Sequence, residues 1–147
     1  MLESAGDVVI VADTRTAAGT TAVFGTPDMP AAALYAPVDF VKKNPNTVQA
    51  LTNAMVRALL WLQKATPDQV AATVPPEYLM NNKSVYLASY DKVKAAFSPD
   101  GMLPEAGKQN TLKYLSAFNP ALKPESINLA QTFDGSFVQK ALAKYKK

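Results

Sequence analysis

The chain contains no cysteine and no histidine. That pair of absences excludes a disulfide framework, a thiol nucleophile, a Cys/His zinc site and a histidine general base. Lack of cysteine is compatible with an oxidising compartment, where a free thiol would be a liability. No run of about 18 consecutive apolar residues occurs, so no segment reads as a membrane-spanning helix. The opening stretch "MLESAGDVVIVADT" has no basic residue ahead of its short apolar run, and it does not read as a signal peptide. Arginine clusters and aromatic platforms are missing too, which argues against a nucleic-acid partner.

What is present is ordinary globular composition. Of 147 residues, 48% are apolar and 18% charged, too apolar for a disordered chain and long enough for one domain spanning residues 1–147. The net charge of +3 owes much to the C-terminal end, where Lys140, Lys144, Lys146 and Lys147 form a basic tail. The plain reading of such a tail is a solvated helix end that complements the helix dipole.

Along the chain, Asp7 to Asp13 ("DVVIVAD") is a β-branched run after Gly6 and reads as a buried strand. "TRTAAGTTAVFGTPDMP" reads as loop, with a brief extended piece at Ala22 to Phe24. Ala31 to Pro37 ("AAALYAP") suits a second strand or a helix about equally. Pro37 opens a short helix that ends at Asn44. Pro45 then starts a long one, capped by Asn44 or Asn46, with Val48, Leu51, Met55, Leu59 and Leu62 at helical spacing. Ala50, Ala54, Ala58 and Trp61 widen its apolar surface, so the helix is expected to be covered on most sides.

Thr66-Pro67-Asp68-Gln69 is a capping box with proline in the first turn, and Pro75-Pro76 stops the helix that it starts. "EYLMNN" reads as one irregular turn. Lys83 to Phe97 and Pro104 to Phe118 read as helices separated by a "SPDG" turn, with Leu112, Leu115 and Phe118 inward on the second. A proline-punctuated extended stretch leads to a final helix from about Gly135. The expected fold class is therefore α/β and mostly helical, with two or three short N-terminal strands followed by about five to six helices.

Candidate chemistry is sparse. Asp13-Thr14-Arg15-Thr16 places an acid, a base and two hydroxyls directly after the expected strand, where ligands sit in open α/β folds. Arg15 could clamp an oxyanion bidentately with help from Thr16; the plain alternative is a strand-end salt bridge in an ordinary turn. "GTTAVFG" lacks the Lys-Ser/Thr of a phosphate loop. Glu77, Asp91 and Glu105 are scattered and read as solvated carboxylates, not an acid/base pair. Asn82-Lys83-Ser84 matches a glycosylation acceptor, a tripeptide common by chance. No catalytic residue, metal ligand or cofactor is expected, and the chain does not read as an enzyme.

The order of segments carries more information than any one of them. "FVKKNPNTVQALTNAMVRALLWL", then "ATPDQVA", then "VPPEY", and late "TFDGSFVQKAL", resemble the second half of ABC-transporter solute-binding proteins of the nitrate/sulfonate/taurine type, a group related to thiamine-pyrimidine-precursor binding proteins. The resemblance covers nearly all of residues 7 to 143. It implies one part of a two-lobed periplasmic fold that closes over a small anionic or polar solute and delivers it to a membrane permease, by a hinge motion that the ligand biases. By position it implies Asp13, Thr14, Arg15, Thr16 and Tyr35 as cleft lining, with Arg15 as the anion contact. The long helix would be scaffold. The alternative function is a helical protein-interaction module that reuses the half-fold without binding a small molecule.

The resemblance also implies that this chain begins where such proteins are finishing their second lobe, with the N-terminal half absent. An open sheet edge and an apolar patch would follow, and a homodimer or swapped assembly is the expected cover.

The capping box gives a direct test. Thr66→Ala is expected to destabilise the chain by about 0.5–2 kcal/mol through loss of the N-cap; an unmoved denaturation midpoint would mean that the hydroxyl caps nothing.

Overall fold

A computed structural model of the chain describes residues 2–79 and 82–146. Met80 and Asn81 of the expected irregular turn, and Lys147 of the basic tail, lie outside the described residues. Among the described residues eight α-helices follow in order: α1 (Leu2–Ala5), α2 (Ala17–Phe24), α3 (Val38–Lys43), α4 (Pro45–Leu62), α5 (Pro67–Thr73), α6 (Lys83–Val93), α7 (Glu105–Phe118) and α8 (Ser136–Tyr145). Short 3-10 turns at Pro76–Leu79, Lys94–Ala96, Pro124–Ser126 and Leu129–Gln131 link them.

The α/β expectation is overturned, because the described residues contain no strand. Residues 7–13 are irregular and solvated, with Val9 89% and Val11 97% exposed. β-branched side chains favour extended backbone, yet a strand exists only through ladder bonds to a neighbour. Among the described residues, no backbone hydrogen bond ties residues 8–13 to another segment. Residues 31–37 are neither strand nor helix; Pro30 and Pro37 bracket them and supply no N–H for a ladder. The extended piece expected at Ala22 to Phe24 is the end of α2.

The residues group into two compact units, Met1–Pro27 with Lys64–Phe97, and Asp28–Gln63 with Ser98–Lys147. In the first unit the buried apolar side chains are Ala65, Val70, Ala71 and Tyr90. The Thr66 hydroxyl accepts from Gln69 N–H at 3.2 Å and the Gln69 side chain accepts from Thr66 N–H at 2.8 Å, so the box read from the sequence closes in both directions. Asn82 is used the same way: its side-chain oxygen accepts from Val85 N–H at 3.1 Å and starts α6. α6 ends at Val93, and the Tyr90 ring lies 6.4 Å from that of Phe97.

The second unit is organised by the packing of α8 on α4. Val56, 1% exposed, meets Val138 and Ala141, with Leu60, Met102, Leu142 and Tyr145 packed around them. Gln49 spans the pair, donating to Phe137 C=O at 2.9 Å. Gly101 sits over this core at φ +86°, where a Cβ would lie 3.4 Å from Val56 and carry left-handed strain. The expected burial of α4 on most sides is not met. Only Thr52 and Val56 are buried, while Leu51 and Met55 are 47% and 53% exposed. On α7 the inward side differs from the expected one too. Gly107 is buried against Pro30, whereas Leu115 and Phe118 are exposed.

One buried polar atom stands out. The Tyr90 hydroxyl has no hydrogen-bond partner among the described residues. A buried hydroxyl left unpaired costs about 1–3 kcal/mol. Tyr90→Phe is therefore expected to leave the denaturation midpoint unchanged or to raise it, since the ring stays and the orphan oxygen goes. A clear fall would show that the hydroxyl is bonded.

Candidate functional site

The residues singled out by sequence fall into two places. Asp13, Thr14, Arg15 and Thr16 belong to the first unit and form one cluster, whereas Tyr35 belongs to the second, in coil and 92% exposed. The cluster lies in the turn that enters α2. Thr16 is extended at φ −122°, and its hydroxyl accepts from Gly19 N–H at 3.1 Å as the N-cap. The buried Thr20 hydroxyl donates within reach of both Thr14 C=O at 3.1 Å and Thr16 C=O at 2.9 Å. Gly19 is required for the approach, because a Cβ there would collide with the Asp13 carbonyl oxygen.

Arg15 is fully engaged. Its Nε donates to Asp13 Oδ1 at 2.8 Å and its Nη2 to Asp13 Oδ2 at 2.6 Å, a bidentate fork. Its backbone N–H reaches the same Oδ1 at 3.0 Å. Its remaining nitrogen, Nη1, donates to Glu3 Oε2 at 3.3 Å, and Lys92 Nζ meets that same oxygen at 3.0 Å. Two acids and two bases thus close on one another, drawing α1, the entry to α2 and the end of α6 together within the unit. The electrostatics follow. Hydrogen bonds from the Arg15 side chain and backbone hold Asp13 down at about 2, and Asp13 raises Arg15 above its ordinary value. Lys92, then Arg15, lower Glu3.

This geometry favours the staple reading of "DTRT" over the anion-clamp reading. An incoming oxyanion would have to displace Asp13 from a two-point fork. The sequence signal for Asp13–Arg15 was local, but nothing in the spacing announced Glu3 or Lys92 as its partners. Glu3 also edges a largely apolar depression of about 550 Å³, walled by Tyr78, Leu79, Val85 and Tyr86. None of Asp13, Thr14, Arg15 or Thr16 lines it. On the second unit an open groove of about 510 Å³ is lined by Ala54, Arg57, Ala58, Leu60, Trp61 and Tyr145. Arg57 stands 5.4 Å from the centre of the Tyr145 ring, and Lys144 Nζ 5.3 Å from it. Among the described residues no group of three acids gathers as a metal site, and no helix is long and apolar enough to cross a membrane.

No protein-family model matches the chain. No curated protein matches it either. It is similar to the solved structure of a protein from Bordetella bronchiseptica RB50, with 45% identity and a TM-score of 0.94. The match takes in 100% of this chain and 46% of that one, so the chain spans about half the length of the protein it resembles.

The charge cluster sets a titration. A carboxyl whose folded value lies below its unfolded one adds stability that is complete above the unfolded value and is lost as pH falls through the folded one. For Asp13 that window runs from its ordinary 3.8 down to about 2. Carbon-detected NMR is expected to place the Asp13 midpoint near the lower end, and Arg15→Gln to return it toward 3.8. A midpoint already ordinary in the unaltered chain would mean that the fork is open in solution.

Proposed function

We propose that the chain is part of the solute-binding component of an ABC importer for nitrate, a sulfonate, taurine or a similar small solute. The observation that carries this reading is the order and spacing of "FVKKNPNTVQALTNAMVRALLWL", "ATPDQVA", "VPPEY" and "TFDGSFVQKAL" along one chain. In this reading the role is capture, not catalysis. It takes place in the periplasm, and the partner is the importer's membrane permease. α4 and α8 are scaffold, and the Asp13–Arg15–Glu3–Lys92 cluster stiffens the entry to α2 beside the solute path, with Tyr35 as a separate lining candidate. Closure over a solute needs walls on two sides. The Bordetella protein, with more than half of its length outside the match, supports a fold in which further chain supplies the other wall.

A second reading, a helical protein-interaction module, is favoured by the exposed apolar side chains of α4.

The test uses a hybrid in which these 147 residues replace the matching part of the Bordetella protein. Titration calorimetry with nitrate, taurine and short alkanesulfonates is expected to give micromolar binding to the hybrid and weak or no binding to the isolated chain. Silence from the hybrid with every solute would defeat the proposal. Tight binding by the isolated chain would place the cleft within it.

A further inference from the structure

On α4, the exposed side chains Leu51, Ala54, Met55, Ala58 and Trp61, with the partly buried Leu62, recur at three- and four-residue spacing. At 100° per residue they fall in one sector of about 120°, opposite the side that Val56 buries. The centre of a well-formed helix thus carries a continuous apolar face that, among the described residues, is only partly covered. Isolated apolar residues on a surface need no explanation, but a contiguous face does. The edge of this face is positive. Arg57 and Lys144 both stand against the Tyr145 ring, and neither α4 nor α8 contains a single Asp or Glu. Among the described residues no ion pair involves Arg57, Lys140, Lys144 or Lys146.

We propose that the exposed face of α4 is a docking surface for a polypeptide segment that is apolar at its centre and acidic at its rim, supplied by chain equivalent to the part of the Bordetella protein outside the match. Two observations select this occupant. Every residue of the present chain superposes on less than half of a longer one, so the same helix framework exists there with more chain available to cover it. A second copy, the cover expected from the sequence, would set a rim of Arg57 and Lys144 against itself, and like charges facing across an interface oppose docking. The composition of the face fits a binding centre, since tryptophan, tyrosine and arginine are the side chains on which interface energy concentrates, and Trp61, Tyr145 and Arg57 line one groove here. The inference does not depend on solute capture.

The same hybrid tests it through different readouts. Hydroxyl-radical footprinting, read residue by residue, is expected to show Met55 and Trp61 oxidised readily in the isolated chain and protected in the hybrid. Met55→Glu is expected to leave the melting temperature of the isolated chain unchanged, because the side chain is half in water. In the hybrid it would bury a charge and lower the melting temperature by about 5 °C or more. Equal oxidation in both proteins overturns the proposal, as does a Met55→Glu effect of equal size in both. Protection that appears in the isolated chain and grows with its concentration assigns the face to a second copy and overturns it too. A hybrid that protects Met55 but binds no solute leaves docking intact while solute capture fails.

Discussion

The packing of α8 on α4 is the contact from which the second unit is built. Val56 and Ala141 are almost wholly removed from water, and they lie 85 residues apart in the chain. Closing so long a loop is entropically costly, and the return comes from a small apolar cluster and one side-chain bond, Gln49 to the Phe137 carbonyl. The rest of that unit is arranged over this pair. Gly101 turns the chain over the Val56 and Val138 side chains at φ +86°, a left-handed conformation that suits glycine. Met102 follows into the cluster, its N–H bonded at 2.9 Å to Asp100 Oδ1. At α7, Gly107 lets Pro30 approach, and Asn110 donates to the Asp28 carbonyl at 3.1 Å.

The first unit relies on a different device. Its apolar core is slight, and a closed set of charges supplements it. Exposed ion pairs stabilise little, but a bidentate arginine in a network is the arrangement that contributes most among them. Its use here is geometric. The Asp13 carboxylate takes the Arg15 fork and its carbonyl lies close against Gly19, so the turn into α2 is held at two points. Aspartate, threonine and arginine in that order after an apolar run suggest a ligand site because ligand sites need the same donors and acceptors. Here the donors are spent on the protein's own backbone and carboxylates.

What was legible in the sequence was local. The Thr66 capping box, the start of α4 at Pro45 and the final helix depend on neighbours three or four residues away, and each stands as read. α2 was missed because its "AAGTTAVF" holds a glycine, two threonines and a valine, weak helix formers, in a stretch punctuated by Gly and Pro. Gly25 at φ +73°, its N–H returned to the Thr21 carbonyl, is the stop signal that could have revealed it. The strand at Asp7 to Asp13 was misread for a non-local reason: composition sets a preference for extended backbone, and pairing decides whether a strand forms. The candidate site was legible only in part. Asp13 and Arg15 are adjacent enough to be paired on paper, while Glu3 and Lys92 come from distant segments. The buried side of α4 was hidden for the same reason, since a helix apolar all round does not say which face its partner takes.

That last ambiguity bears on function. A broadly apolar helix is costly to leave half exposed, and α4, the longest helix of the described residues, carries three exposed large apolar side chains, Leu51, Met55 and Trp61. The run at Val8 to Val11 presents the same problem in another form, four β-branched side chains exposed on backbone that no ladder among the described residues uses. The proposed docking on α4 would cover the first of them. The 45% identity to a stretch of a chain more than twice as long fits this physical reading. On the proposed docking, the chemistry to be sought on the partner is apolar where α4 is apolar and acidic where Arg57 and Lys144 stand.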